Sequence, residues 1–318
     1  MVLTTAKRVL RSLVVIILVT MGSVALLSLA PGSAASVILG ENATPAAVAK
    51  LNARLGMDQP LWHQYTDWLG HAVTGDLGTS PVTNESVTHA VLSRLPVTLE
   101  LAAIALTLSL VVALLLAIVS AAWEGSAVDR GATALSSVLL SVPAFIAGPV
   151  LIYFFSLKLG WLPVSGWARV STDGLGANLR GALLPAVSIA LTEIAAFHRA
   201  LRADLISTLR EDYIAAARAK GMSPAYVMVR HALRPSSFSL ITLAGINLGR
   251  LIGGTVVVEI LFSLPGLGQL VVSSIVSRDL VSVQGIVVFV VVVYVLVNTL
   301  VDLSYHWLDP RVRKAAAA

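Results

Sequence analysis

Apolar residues run along this chain in long blocks, not in short alternations. They occupy about Val9–Ala30, Val97–Ala122, Ala132–Leu157, Ala182–Leu201, Phe238–Leu261 and Val281–Leu303. Most of these blocks approach or exceed the ~20 residues that carry a helix across ~30 Å of hydrocarbon. The pattern predicts an all-α integral membrane protein with about six transmembrane helices. Between the first two blocks, residues 31–95 turn polar, with Pro, Gly, Asn and Thr punctuation, and predict an ordered external segment. Within it Leu61, Trp62, Tyr65, Trp68 and Leu69 recur at helical spacing. Such a face suits a partner, the lipid interface or the protein's own surface.

Composition agrees with the pattern. Of 318 residues, 57% are hydrophobic and 12% charged, about half the ~25% charged fraction of a soluble domain. The net charge is +5, but the cations flank the ends of apolar blocks and form no basic arm interleaved with aromatics, so nucleic acid is not expected as a partner. The chain has no cysteine, which excludes a disulfide framework and a thiolate metal site.

The cations also orient the helices. Lys7 and Arg8 precede the first block and Arg11 interrupts it, which places the N-terminus in the cytoplasm. A cleaved signal peptide is the competing reading, because residues 30–36 are rich in small side chains; the length of the apolar run favours a retained helix. Alternation then puts residues 201–235 inside the cell. The neighbourhood of that loop carries Arg199, Arg202, Arg210, Arg218, Lys220, Arg230 and Arg234, as the positive-inside rule requires. A sixth crossing returns the C-terminus to the cytoplasm, where Arg311, Arg313 and Lys314 agree. The resulting organisation is a first helix within 1–30, an external segment at 31–95, a five-helix domain at 96–310 and a tail at 311–318.

The segment from Glu211 to Pro235 is the densest in signals. Alanines at 215–217 and 219 favour helix, Gly221 suits a C-terminal cap with φ > 0, and Ser223-Pro224 suits a new N-cap and first helical position. Pro235 is expected to stop or bend the second helix. Ala215, Ala216, Ala217 and Ala219 would let another surface approach the backbone, with Arg218, Lys220, Arg230 and Arg234 as charged rims. Such a knob fits a groove on a cytoplasmic partner or a bed of anionic lipid headgroups.

Five charges fall within or at the ends of apolar blocks: Glu100, Glu193, Arg250, Glu259 and Asp302. A charge at mid-helix costs ~2.5–3.5 kcal/mol on insertion scales, so each needs a partner, water or the interface. Glu100, Glu259 and Asp302 suit the interface. Glu193 and Arg250 lie nearer to helix interiors and are candidate pathway residues, or each other's partners. Gly245, Gly249, Gly253 and Gly254 surround Arg250 and permit close helix approach; Gly249, Gly253, Gly254 and Glu259 join the candidate pathway or helix-contact set. Leu264-Pro-Gly-Leu-Gly268 is a turn signal at the external end. No Gly-x-x-x-x-Gly-Lys-Ser/Thr loop, His-Glu-x-x-His helix or Gly-x-Ser-x-Gly elbow is present, so neither ATP hydrolysis nor intramembrane hydrolysis is expected of this chain.

Ala215-Ala-Ala-Arg-Ala-Lys-Gly221 resembles the EAA-type loop of ATP-binding cassette (ABC) importer permeases. The longer run through Arg230-His-Ala-Leu-Arg234 is similar to the dipeptide and oligopeptide (DppB/OppB-type) branch. The likeness extends through Leu55-Gly-Met-Asp-Gln-Pro-Leu-Trp62, Gly75-Asp-Leu-Gly-Thr-Ser80, Leu159-Gly-Trp-Leu-Pro163 and Val258-Glu-Ile-Leu-Phe-Ser-Leu-Pro-Gly-Leu-Gly268. Ala215 stands where the pattern is named for glutamate, and His231 and Leu233-Arg234 replace its Ile and Leu-Pro. The resemblance implies a non-enzymatic permease subunit of the bacterial cytoplasmic membrane, half of a peptide pathway, which binds no cofactor itself. It implies as partners a homologous second permease, two ATPase subunits that use ATP and Mg, and an external solute-binding protein. The 201–235 loop would couple to the ATPases. The alternative is an ion-coupled secondary transporter with Glu193, Arg250 and Asp302 as a relay.

Overall fold

The computed structural model describes residues 10, 13–22, 25, 34–54, 56 and 58–308. Most of the flanks of the first apolar block, with Lys7, Arg8 and Arg11, lie outside these residues, as do Arg311, Arg313 and Lys314 of the tail. So does the side chain of Asp302.

The described residues fold as helices, with one isolated antiparallel bridge between Thr79 and Ser86. In chain order they are α1 (Leu13–Gly22), α2 (Ala34–Leu39), α3 (Pro45–Arg54), α4 (Leu61–Val73), α5 (Val87–Ala122), α6 (Ala127–Ser141), α7 (Ala144–Leu151), α8 (Val170–Asp173), α9 (Leu175–Leu209), α10 (Asp212–Ala219), α11 (Pro224–Tyr226), α12 (Leu233–Gly254), α13 (Val256–Leu261), α14 (Leu267–Val276) and α15 (Leu280–Leu308). Wider π-helical turns extend α7 over Ile152–Lys158 and join α11 to α12 over Val227–Ala232.

Three helices are long and apolar enough to cross a membrane: α5, α9 and the Leu280–Val301 portion of α15. A fourth emerges if α6 and Ala144–Lys158, bent by 101°, count as one span. The bend has a local cause. Pro143 cannot continue α6, and it drives Val142 to φ −100°, ψ 107°. The fifth predicted block becomes α12 and α13; it carries Asn247 and Arg250, and it is not among the helices that meet the measure. Two predicted boundaries also move. α5 begins at Val87, ten residues before the apolar block, and α9 runs to Leu209, so Arg199 and Arg202 are helical. At 1.5 Å per residue α9 is about 52 Å long, enough to outrun ~30 Å of hydrocarbon.

The chain divides into two compact units. One comprises the residues up to Thr98 with Pro265–Val295. Its core joins Leu77, Val87, Val91, Leu267 and Ile286, with Trp68 packed against them. Of the aromatic face predicted on α4, Tyr65 is buried and hydrogen-bonded to Thr20 at 2.8 Å, whereas Trp62 is exposed. Own packing therefore accounts for Tyr65 and Trp68. The Gly75–Ser80 motif is a fixed turn: Gly78 has φ +96°, and its N–H donates to Asp76 Oδ1 at 2.9 Å. Ser80 Oγ donates to the buried carboxylate of Asp279 at 2.6 Å, and Asp279 caps α15 by accepting from Ser282 N at 3.1 Å.

The second unit, Leu99–Leu264 with the residues from Leu296 onward, is built around α9, which packs on α6, α7, α12 and α13. Its core gathers Ala113, Ala117 and Ala121 of α5, Phe197, Leu201 and Leu205 of α9, and Leu240 of α12. Alanines on α5 bring two long helices together, a small-residue contact suited to a medium without a hydrophobic drive between helices. Gly245 makes the same kind of contact, because a Cβ there would lie 2.4 Å from Val301 Cγ1. Valine is stiff at χ1 and cannot swing aside. Gly245→Leu should therefore lower stability by about 1–3 kcal/mol, measured by thermal unfolding in detergent.

Candidate functional site

The loop that follows α9 is a small folded body. Ile214 and Ala217 of α10 pack against Val227, with Leu209 and Met222 around them. Gly221 adopts φ +80° and turns the chain. Ser223 caps α11 by accepting from Tyr226 N, and Pro224 takes the first helical position. Ala215, Ala216 and Ala219 face outward, as do Arg218, Lys220, Arg230 and Arg234. Ala217 faces inward, so its small size serves the Val227 contact and not the outer face.

Pro235 does not stop the second helix. The chain runs from α11 through the π-helical turn into α12 with Pro235 in its first turn, where a missing N–H costs least. That proline cannot donate to the His231 carbonyl one turn back. The Tyr213 hydroxyl of α10 does so at 3.3 Å. Burial raises the Tyr213 pKa above the usual phenol value, and the negative charge of Glu211 adds to it, so the hydroxyl stays a neutral donor. The His231 ring lies edge-on to Tyr226 at 5.6 Å. α10 is thereby joined to the π-helical turn that leads into α12 by a polar contact as well as by its apolar face.

Polar side chains along α9 reach three other helices. Glu193 is buried and accepts through Oε1 from Arg250 Nη2 of α12. Its Oε2 has no hydrogen-bond partner among the described residues. His198, fully buried, contacts Ser136 Oγ of α6 through Nδ1 at 2.6 Å. Arg202 grips Asp129 at the start of α6 in a two-nitrogen fork, Nε to Oδ1 at 2.7 Å and Nη2 to Oδ2 at 2.6 Å. Ser120 of α5 donates to the same carboxylate and accepts from Arg202 Nε at 3.0 Å, and Gly125 N donates to Oδ2 at 2.9 Å. Beyond the helix, Arg210 pairs with Glu124 at 2.7 Å, but both side chains are exposed. Exposed pairs contribute ~0–1 kcal/mol, whereas breaking a buried one costs about 3–5 kcal/mol. The Asp129 pair is the one that holds this end of the unit.

An open cleft of about 730 Å³ lies beside it, lined by Glu124, Arg202, Arg210, Glu211 and Asp212 among others. Sequence reading named Arg202 only as a topogenic cation and did not single out Asp129. The available signal was Ser126-x-x-Asp129, a helix-start pattern in which Ser126 Oγ accepts from Asp129 N at 3.3 Å. Its carboxylate then turns to Arg202, which only the packing of α6 on α9 brings near.

The other candidate pathway residues are not gathered into one pocket. Gly249 is buried, Gly253 and Gly254 open onto space with no atom within 4 Å of a built Cβ, and Glu259 is fully buried. Thr255 Oγ1 donates to Glu259 Oε1 at 2.8 Å. Glu259 therefore has a partner inside the protein. The Leu264–Gly268 motif is a turn, entered through Ser263 at φ +53° and left as α14 begins. Glu193 and Arg250, two members of the relay reading, meet, whereas the side chain of the third, Asp302, lies outside the described residues.

Comparison with known proteins gives this arrangement a family. Residues 110–314 match the "Binding-protein-dependent transport system inner membrane component" family, and residues 1–102 match its N-terminal counterpart. The Di/tripeptide transport system permease protein DppB of Pseudomonas aeruginosa is 37% identical over 315 residues, covering 93% of this chain and 94% of that one. A Brucella abortus protein assigned by name to a peptide transport system is 38% identical over 307 residues, covering 96% and 98%. Among solved structures, an inward-facing methionine ABC transporter aligns with TM-score 0.56 and 18% identity over 69% of this chain and 96% of that one. An amino acid ABC transporter aligns with TM-score 0.53 and 18% identity over 69% and 94%. Helical packing around α9 and matches that cover nearly the whole length lead to one conclusion: this multi-pass membrane chain belongs to the binding-protein-dependent transport system inner membrane component family.

Proposed function

We propose that this chain is the permease subunit of an ABC importer for di- or oligopeptides, supplying half of the membrane pathway. The observation that carries the reading is full-length similarity to peptide permeases at 37–38% identity. The loop geometry supports it, because α10 presents Ala215, Ala216 and Ala219 outward between cationic rims, while its apolar face packs on Leu209 of α9 and the Tyr213 contact ties it to the π-helical turn before α12. A second, homologous permease completes the path. Two ATPase subunits, with ATP and Mg, push on the 201–235 loop, and an external solute-binding protein delivers peptide.

In this reading the chain crosses the bacterial cytoplasmic membrane six times with both termini inside. The first helix lies within 1–30, the external segment at 31–95, the five-helix domain at 96–310 and the tail at 311–318. The 201–235 loop works through Ala215, Ala216, Arg218, Lys220, Gly221, Arg230, His231 and Arg234. Glu193, Gly249, Arg250, Gly253, Gly254 and Glu259 serve the pathway or the helix contacts beside it, Gly249 and Glu259 from buried positions.

Reconstitution tests the reading. In liposomes the chain with its second permease, ATPases and binding protein should accumulate labelled peptide only when ATP is enclosed on the loop side. Uptake by the chain alone, lost when the proton gradient is collapsed, would replace this assignment with the ion-coupled one.

A further inference from the structure

We infer that the Asp129–Arg202 pair is a positioning clamp for the coupling loop, one that sets how much transport each ATP turnover yields; the inference rests on the importer reading above. Four observations carry it. The clamp ties three elements together at one point: Ser120 near the end of α5, Asp129 in the first turn of α6 and Arg202 of α9. It sits seven residues before the end of α9, about two helical turns from the start of the coupling loop. Its fork is rigid, because two guanidinium nitrogens, Nε and Nη2, and both carboxylate oxygens are engaged. Finally, Asp129 is buried while Arg202 lines the open cleft together with Arg210, Glu211 and Asp212, the residues that lead into α10.

The mechanical consequence follows from this placement. A push on α10 reaches α9 through Leu209 and the Ile214–Ala217–Val227 core. If α9 were free to turn against α6, part of that displacement would be lost in local rotation. The planar fork resists rotation, so α5, α6 and α9 move as one body and the displacement reaches the membrane portion. The exposed Arg210–Glu124 pair lies on the same connection but is solvated, and it contributes little to this stiffness.

The test uses the complete complex in liposomes and reads peptide imported per ATP hydrolysed, with thermal stability and co-purification of the ATPases measured beside it. Arg202→Lys keeps the charge but loses the planar fork. It should still assemble, with a lowered unfolding temperature, yet import per ATP hydrolysed by the folded complex should fall about fivefold or more. Asp129→Asn should fall similarly, and Glu124→Gln should not. Unchanged import per ATP in Arg202→Lys overturns the inference. So does a pattern in which Arg202→Lys and Asp129→Asn lose stability and yield while the surviving complexes import normally, since that marks a purely structural pair. A wild-type complex without ATP-driven import overturns the importer reading and the clamp together, whereas an active wild type with indifferent variants overturns the clamp alone.

Discussion

Replacing Gly221 with valine should abolish transport and reduce ATPase co-purification to near background. Gly221 holds φ +80° between α10 and Ser223, a region where an L-residue pays about 1–2 kcal/mol and a β-branched one more. No atom lies within 4 Å of a Cβ at this position, so the backbone conformation, and not a clash at the β-carbon, is the expected cause. The loop would relieve the strain by turning α10 away from α11, which unpacks Ala217 from Val227 and breaks the Tyr213 hydroxyl contact to His231. Gly221→Asn, a residue that tolerates this conformation, should retain most of the activity. Equal loss in both variants would mean that Gly221 matters for something other than its φ.

The second large effect is expected at Glu193. Glu193→Ala leaves Arg250, whose side chain is 63% exposed in the single chain, without its carboxylate, at a cost of about 2.5–3.5 kcal/mol if the charge stays at membrane depth, and the yield of folded protein should drop severalfold. The double variant Glu193→Ala, Arg250→Leu removes the stranded charge and should recover much of the yield, because no charge is then left unpaired. Size-exclusion yield and thermal unfolding in detergent read both. A double variant no better than the single would show that the pair does not stabilise the unit. Restored yield with no transport would place the two charges in the pathway itself.

Part of this was legible from one dimension. The apolar blocks located α5, α9 and α15, since a stretch that must satisfy its own backbone in lipid has no choice but helix. Gly221, Ser223 and Pro224 announced the turn between α10 and α11 because their conformational preferences are local. Glu193 and Arg250 were foreseeable as partners, for an isolated charge in such a stretch demands one. Block ends were less informative. Hydropathy changes where lipid ends, but a helix continues as long as its backbone bonds are made, which is why α5 starts at Val87 and α9 reaches Leu209.

Pro235 shows the same division. A proline predicts an interruption, yet here it falls in the first turn of α12 after a π-helical turn, and a hydroxyl from α10 takes over its duty toward the His231 carbonyl. Asp129 is the clearest case. Its sequence neighbourhood marks only the start of a helix, and Arg202 stands 73 residues later. The sequence by itself determined the membrane class, the location of the turn between α10 and α11 and the need for charge pairing, because each follows from local backbone preference or from the cost of charge in hydrocarbon. Which charges meet, which alanines face inward and which pair stiffens the end of α9 were decided only when α9 packed among α5, α6 and α12, since those contacts depend on side chains that approach one another solely through the tertiary fold.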